Sequence, residues 1–241
     1  MPGKVSLFVT CLVDQLFPRV GLAMAEVLEH IGWQVEFREA QTCCGQPAFN
    51  SGYLEEARGV ARHFLEVFDD AGPIVVPSGS CTSMIARHFE ELFAADPPLA
   101  EKSRRLAGRV REFSDFLLNV AGVEDVGARF EHVVTYHDSC HALRDLGIRS
   151  GPRRLLSRVR GLALREMDAA AECCGFGGTF AVKFAELSGG MARTKIDSML
   201  KTGAEYVTSL DSSCLMQIQG ALFRAGAPVR AMHVAEILAS R

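Results

Sequence analysis

The 241-residue sequence predicts an α/β protein of two pseudo-repeated, doubly wound halves, each built on a parallel sheet. Three observations carry that expectation. A cysteine pattern occurs twice, short β-branched apolar runs alternate with stretches of helical period, and every cysteine follows the carboxyl end of such a run. In the first half Cys11 is followed after 31 residues by Cys43-Cys44-Gly45 and, 35 residues further on, by Cys81. In the second, Cys140 is followed after 32 residues by Cys173-Cys174-Gly175 and, 38 residues further on, by Cys214. Eight cysteines placed at random in this length would give roughly a quarter of one adjacent pair, so two Cys-Cys-Gly triplets point to duplication.

The elements repeat in the same order. Residues 5–10 and 132–136 read as buried parallel strands leading to the first cysteine of each half. A helix is expected over 18–31, with Pro18 near its start and Gly32 as its stop; 151–159 is its counterpart. Short strands at 34–38 and 162–166 lead into the two Cys-Cys-Gly triplets, and helices are expected over 54–71 and 184–202. Third strands at 74–76 and 205–209 run into Cys81 and Cys214, and the halves close on 110–113 and 229–232, each followed by a short helix. The boundary is drawn as 1–122 and 123–241, with the joint within 122–130. In such Rossmann-like folds the strands' carboxyl ends open onto a ligand crevice, where all eight cysteines are expected to gather.

Composition narrows the function classes. The net charge of −3 provides no general basic surface for phosphate backbones, so nucleic acid is not expected as a partner. No apolar stretch reaches the ~20 residues of a membrane span. The N-terminal run enters Cys11 without a small-residue cleavage site and reads as a strand, not an export signal, so a cytoplasmic location is expected.

Thiolates are soft anionic ligands suited to iron–sulfur clusters, zinc or copper(I). Adjacent cysteines on an extended strand would point to opposite faces, so Cys43-Cys44 and Cys173-Cys174 are expected on turns that Gly45 and Gly175 make possible. Such glycines also let backbone N–H groups approach cluster sulfurs. Free cysteine also behaves as a small buried hydrophobe, and for Cys11 taken alone that is the better reading. The duplicated set of eight reverses it. Disulfides are disfavoured in a cytosolic setting. Zinc fits four thiolates, in one half as an alternative, although its usual Cys-x2–4-Cys knuckles are absent.

Beside Cys140 stand His137 and His141, candidates to tune a cluster, ligate or move protons; a histidine at a strand end also serves as a local hydrogen-bonding cap. Arg144, Lys183 and Arg193 are weaker candidates for holding a carboxylate, and Met84 and Met216 are expected to pack inside helices. No Gly-x-Gly-x-x-Gly follows the first strand and no P-loop is present, so neither flavin nor nicotinamide is indicated.

The segments His137-Asp138-Ser139-Cys140-His141, Glu172-Cys173-Cys174-Gly175-Phe176-Gly177-Gly178-Thr179-Phe180 and Asp211-Ser212-Ser213-Cys214-Leu215-Met216 resemble the cysteine-rich Cys-Cys-Gly domain proteins. That family includes the cysteine-rich component of heterodisulfide reductase and the iron–sulfur subunit of glycolate oxidase. The resemblance implies one or two iron–sulfur clusters, of the [4Fe-4S] type, on Cys11, Cys43, Cys44 and Cys81 and on Cys140, Cys173, Cys174 and Cys214. It also implies an electron-transfer subunit of an L-lactate-oxidising complex, yielding pyruvate with companion iron–sulfur and accessory proteins. Thiol–disulfide oxidoreduction and a structural zinc scaffold are the alternatives. The heterodisulfide reductase branch closes each half with Cys-x-x-Cys; here Met84 and Gln217 stand at the last position, leaving four thiolates per half.

Overall fold

The computed structural model describes residues 3–241; Met1 and Pro2, at the start of the expected first half, lie outside the described residues. Among the described residues, eight strands form two four-stranded, wholly parallel sheets. The first contains β1 (Lys4–Leu7), β2 (Gln34–Phe37), β3 (Ile74–Val76) and β4 (Val110–Glu112) in the order β2-β1-β3-β4. The second contains β5 (Val133–Tyr136), β6 (Ala163–Leu164), β7 (Tyr206–Ser209) and β8 (Arg230–His233) in the order β6-β5-β7-β8. The registers correspond, with Ser6 beside Ile74 in one sheet and Thr135 beside Val207 in the other; both partners lie seven residues before the fourth cysteine of their half. The central strands β3 and β7 are buried along their whole length, which is why they read as continuous apolar or small-residue runs rather than alternating ones.

Helices connect the strands, and their apolar stripes explain their placement. In the helix Pro18–His30, Pro18 occupies the first turn, where no backbone N–H is needed, and Val20, Ala23, Met24, Val27 and Leu28 form one buried face. Gly32, at φ +90°, ends it in a conformation other residues resist. Pro18 also separates it from a short helix, Cys11–Leu16, that begins at the first cysteine. The helices expected over 54–71 and 184–202 run over Leu54–Val67 and Ala185–Leu200. The chain after Cys81 is less regular than the sequence implies, passing from Gly79–Ser83 through a π-helical segment, Met84–His88, whereas the equivalent helix Ser212–Arg224 is continuous.

The two halves share a core. Val5, Leu7, Val75, Phe113 and Phe116 from the first pack in one cluster with Val134, Tyr136, Leu155, Leu210 and Ile237 from the second. Helix Pro18–His30 lies against Val234–Ala239, and its counterpart Ser150–Leu156 lies against Phe113–Asn119, so the same contact is made twice about a pseudo-twofold axis. Gly79–Ser83 meets Cys140–Arg144, and Cys11–Leu16 meets Ser212–Arg224, a second contact made twice about that axis. This arrangement turns the carboxyl ends of both sheets toward one another. Among the described residues, no helix is long and apolar enough to cross a membrane.

Candidate metal centre

Each thiol is placed by a strand end. Cys11 and Cys140 begin the helices that follow β1 and β5, while Cys81 and Cys214 lie in the first turn of the helices that follow β3 and β7. The paired cysteines sit in loops closed by Gly45 (φ +83°) and Gly175 (φ +85°). In each loop the glycine N–H points back to the first sulfur of the pair: Gly45 to Cys43 Sγ and Gly175 to Cys173 Sγ, both at 3.4 Å. Cys11 Sγ lies 3.7 Å from Cys43 Sγ. The thiol of Cys44 neighbours those of Cys43 and Cys81, and that of Cys174 neighbours those of Cys173 and Cys214, so the four thiols of each half are gathered together.

Both sets open on a single cavity of about 210 Å³ between the halves, lined by every cysteine except Cys43. The sequence pattern assigns one set to each half; the pseudo-twofold packing sets them side by side. Contacts across the cavity tie the halves together. Asp211, the residue before the helix carrying Cys214, gives its helix no side-chain cap; its carboxylate instead accepts bonds from Ser78 Oγ (2.7 Å), Ser80 N–H (3.0 Å) and Ser80 Oγ (2.8 Å) of the first half. His141 lies with Nε2 3.5 Å from Gln46 Nε2 and Nδ1 3.5 Å from Cys140 Sγ, on the cavity wall.

The electrostatics follow from this crowding. Bonds from Cys11, Cys44 and the Gly45 N–H hold Cys43 as a thiolate, its pKa lowered to about 3. Cys173 is lowered likewise by Cys140, Cys174 and Gly175. Their donating neighbours Cys11, Cys44, Cys140 and Cys174 are pushed up, first by giving those bonds and then by burial. Each set thus accommodates one negative charge readily and further ones only against a cation.

The second half adds polar groups. His137 is wholly buried, and neither ring nitrogen makes a well-formed hydrogen bond, although the Ala170 carbonyl faces the ring. A ring nitrogen, Cys174 Sγ and Cys214 Sγ lie within 4.8 Å of one another. Burial, and then the nearby Lys195 charge, lower His137 to about 3, which keeps the imidazole neutral. Lys195, also buried, donates to Ala169 O and Ala170 O. It is not among the residues expected from the sequence; its signal there is a lysine on the otherwise apolar stripe Ala192, Ile196 and Met199. Asp138 faces away from the cavity and pairs in bidentate fashion with Arg153 (2.8 and 2.9 Å), whose guanidinium lies 4.6 Å over the Tyr136 ring and anchors the strand end. Arg144, Lys183 and Arg193 line no part of the cavity. Met84 is buried in the first half's own core.

The donor set suits a thiolate-bound inorganic group. Besides four sulfurs per half, Ser139 Oγ and Ser212 Oγ line the cavity, buried and without partners, as donors awaiting an acceptor. A structural zinc closed by four thiolates leaves both the cavity and those hydroxyls unexplained.

A duplicated α/β fold that turns seven of its eight thiols onto one interior cavity defines a class of cysteine-rich proteins with a donor set suited to thiolate-bound metal. The chain belongs to the CCG cysteine-rich domain family, whose model matches residues 5–86 and 134–219, one match per half. It is 49% identical over 238 residues to Lactate utilization protein A of Bacillus subtilis (strain 168), covering 99% of this chain and 100% of that protein. It is 47% identical to Lactate utilization protein A of Bacillus cereus (strain G9842), covering 99% of each. Among solved structures, a hypothetical protein from Helicobacter pylori superposes with a TM-score of 0.68 at 11% identity, a likeness of fold. It covers 99% of this chain, which spans about half (48%) of that longer one.

Proposed function

We propose that the chain is an iron–sulfur electron-transfer component of a lactate-oxidising system, acting with companion iron–sulfur and accessory proteins. The lactate assignment rests on its relatives' names and full-length similarity. The observation that carries the chemistry is the meeting of two four-thiol sets on one cavity with unpartnered hydroxyl donors. Cys11, Cys43, Cys44 and Cys81 would hold one [4Fe-4S] cluster, and Cys140, Cys173, Cys174 and Cys214 a second. Such a group, when bound, supplies one-electron redox chemistry over a range set by charge, hydrogen bonding and solvent exposure. The chain's own residues do the rest. Gly45 and Gly175 turn backbone N–H groups onto sulfur, and the shared apolar core fixes the distance between the two sets. His141 and Gln46 provide polar contact across the cavity.

A thiol–disulfide reading has one observation in its favour, the 3.7 Å approach of Cys11 and Cys43. Anaerobic purification or reconstitution, followed by iron and acid-labile sulfide counts with visible and electron-paramagnetic spectra, separates the readings. Iron and sulfide near four of each per half support electron transfer. A colourless protein holding only zinc, or one that takes up no metal and forms a reversible Cys11–Cys43 disulfide, overturns it. Loss of lactate-dependent growth on deletion of the gene tests the pathway.

A further inference from the structure

The duplicated halves are not chemically equivalent behind their cysteines. Phe8 N–H donates to Val75 O at 3.0 Å and His137 N–H donates to Thr208 O at 2.9 Å, and both acceptors lie six residues before the fourth cysteine of their half. Phe8 and His137 therefore occupy the same place in the two sheets. Lys195 has a counterpart too. Gly45 packs against Ala57 and Val60, and Gly175 against Ser188 and Met191, which puts the two helices in register. In that register the buried positions Ala57, Ala61, Phe64 and Leu65 recur as Ser188, Ala192, Lys195 and Ile196. Phe64 thus corresponds to Lys195. In the first half Phe8 meets Phe64 edge-on at 4.9 Å, and Phe68 stacks on Phe64 at 4.6 Å. In the second, an imidazole and an ammonium stand in place of the Phe8–Phe64 pair.

A buried ammonium needs a counter-charge. Lys195 is 1% exposed and is held by two carbonyls and by no paired carboxylate among the described residues. The acidic groups whose field acts on it are, in descending order, Cys174, Glu172, Cys214 and Cys173. With no carboxylate paired to it, the sulfurs and the group they would hold, together with Glu172, supply its counter-charge. His137, with a ring nitrogen close to Cys174 and Cys214 and no well-formed hydrogen bond of its own, can donate its one N–H to sulfur in competition with the Ala170 carbonyl.

We propose that Lys195 and His137 are positioning residues that stabilise added negative charge at the second-half site and set its reduction potential above that of the first-half site, whose equivalent wall is Phe8 and Phe64. This rests on the iron–sulfur reading given above. A cation in a low-dielectric wall favours the more negative, reduced state, and an N–H bond to sulfur acts in the same direction. An aromatic wall offers neither.

The test uses full-length, anaerobically reconstituted protein and electron-paramagnetic redox titration. Each half is read alone after the other set is emptied, by Cys11→Ser with Cys81→Ser or by Cys140→Ser with Cys214→Ser. Lys195→Met is expected to lower the second-half midpoint by at least a tenfold change in its reduction equilibrium, about 59 mV for one electron. The first-half midpoint stays in place, and Lys195→Arg recovers the wild-type value. His137→Phe, which installs the first-half residue, shifts the second-half midpoint the same way. A wild-type midpoint in Lys195→Met with full sulfide content, an equal shift in both halves, or no recovery with Lys195→Arg overturns the proposal. If Lys195→Met does not retain its cluster, His137→Phe and Lys195→Arg decide. A wild-type protein without sulfide refutes the iron–sulfur reading instead. The charge asymmetry is then read in the metal-free reduced chain by residue-resolved alkylation. Lys195→Met slows the second-half thiols about tenfold and leaves the first half unchanged, and equal rates overturn the inference.

Discussion

Asp211 stands three residues before Cys214, as Ser78 stands three residues before Cys81, and these two equivalent side chains meet across the pseudo-twofold axis, Ser78 Oγ donating to Asp211 Oδ1 at 2.7 Å. Duplication alone would place like against like. The change to a carboxylate on one side makes the contact directional, because Asp211 now accepts three bonds from the opposite half while Ser78 still caps its own helix through Cys81 N–H at 3.1 Å. The bond network that joins the halves is also the one that orients the helix starts bearing Cys81 and Cys214.

Asp211→Ala is expected to destabilise the fold by about 2–3 kcal/mol, because hydrogen bonds to a buried charge are lost and the serine donors are left unpaired. Asp211→Asn, which keeps an acceptor, costs about half as much. Denaturant unfolding with an unchanged slope checks both, since a stability change moves the midpoint alone.

The halves approach each other closely at Gly79. A Cβ added there would lie 2.5 Å from Ala142 Cβ and 3.0 Å from Ser139 Oγ. Gly79→Ala should therefore cost about 1–3 kcal/mol through overpacking. Ala142→Gly in the same chain should restore part of it, and a double-mutant cycle with no coupling would show that the halves do not pack through this pair.

Much of this was legible in the sequence. The β-branched runs at 74–76 and 133–136, the Pro18 to Gly32 helix and the spacing of the eight cysteines are local signals, and a parallel α/β fold follows from their alternation. The meeting of both thiol sets on one cavity was not, because it depends on how two sheets pack through residues far apart in the chain, such as Ser78 and Asp211, 133 positions apart. Lys195 was missed for a different reason. Lysine is read by default as a solvated charge, and only the register of the two halves reveals that it replaces Phe64. The π-helical turn at Met84–His88 has no compositional signal, since its residues, Met-Ile-Ala-Arg-His, are ordinary helix formers.

The two loop glycines differ in what surrounds them. Both have positive φ, so alanine at either costs about 1–2 kcal/mol of backbone strain. Gly45 has ordinary contacts at 3.5 Å, whereas a Cβ at Gly175 would lie 2.7 Å from Ser188 O. Gly175→Ala must move the loop that carries Cys173 and Cys174. Metal content per half, measured after reconstitution of each variant, should fall more for Gly175→Ala than for Gly45→Ala, and equal losses would count against this reading of the second loop.

Glu112 gives the fold a pH dependence of defined sign. Its Oε2 caps the helix Phe113–Asn119 by accepting from Ser114 N–H (2.8 Å) and Asp115 N–H (3.2 Å), while Oε1 is buried without a partner. Burial raises its pKa to about 8, with the Ser114 bonds only partly opposing the shift. In the unfolded chain the value returns to the ordinary range near ~4.3. Below that value both states hold the proton and the contribution of Glu112 is fully present. Between the two values the unfolded state gives up the proton and the folded state keeps it, so stability falls with rising pH, by at most about 1.4 kcal/mol per unit. Above about 8 both states are ionised and the loss levels off. Glu112→Gln keeps a carbonyl for the cap and removes the titration. The unfolding free energy of the Gln variant relative to wild type should therefore rise from about pH 5 to about pH 8 and then flatten, as measured by urea denaturation at stepped pH; a difference that stays constant would mean that Glu112 is already ionised in the folded protein.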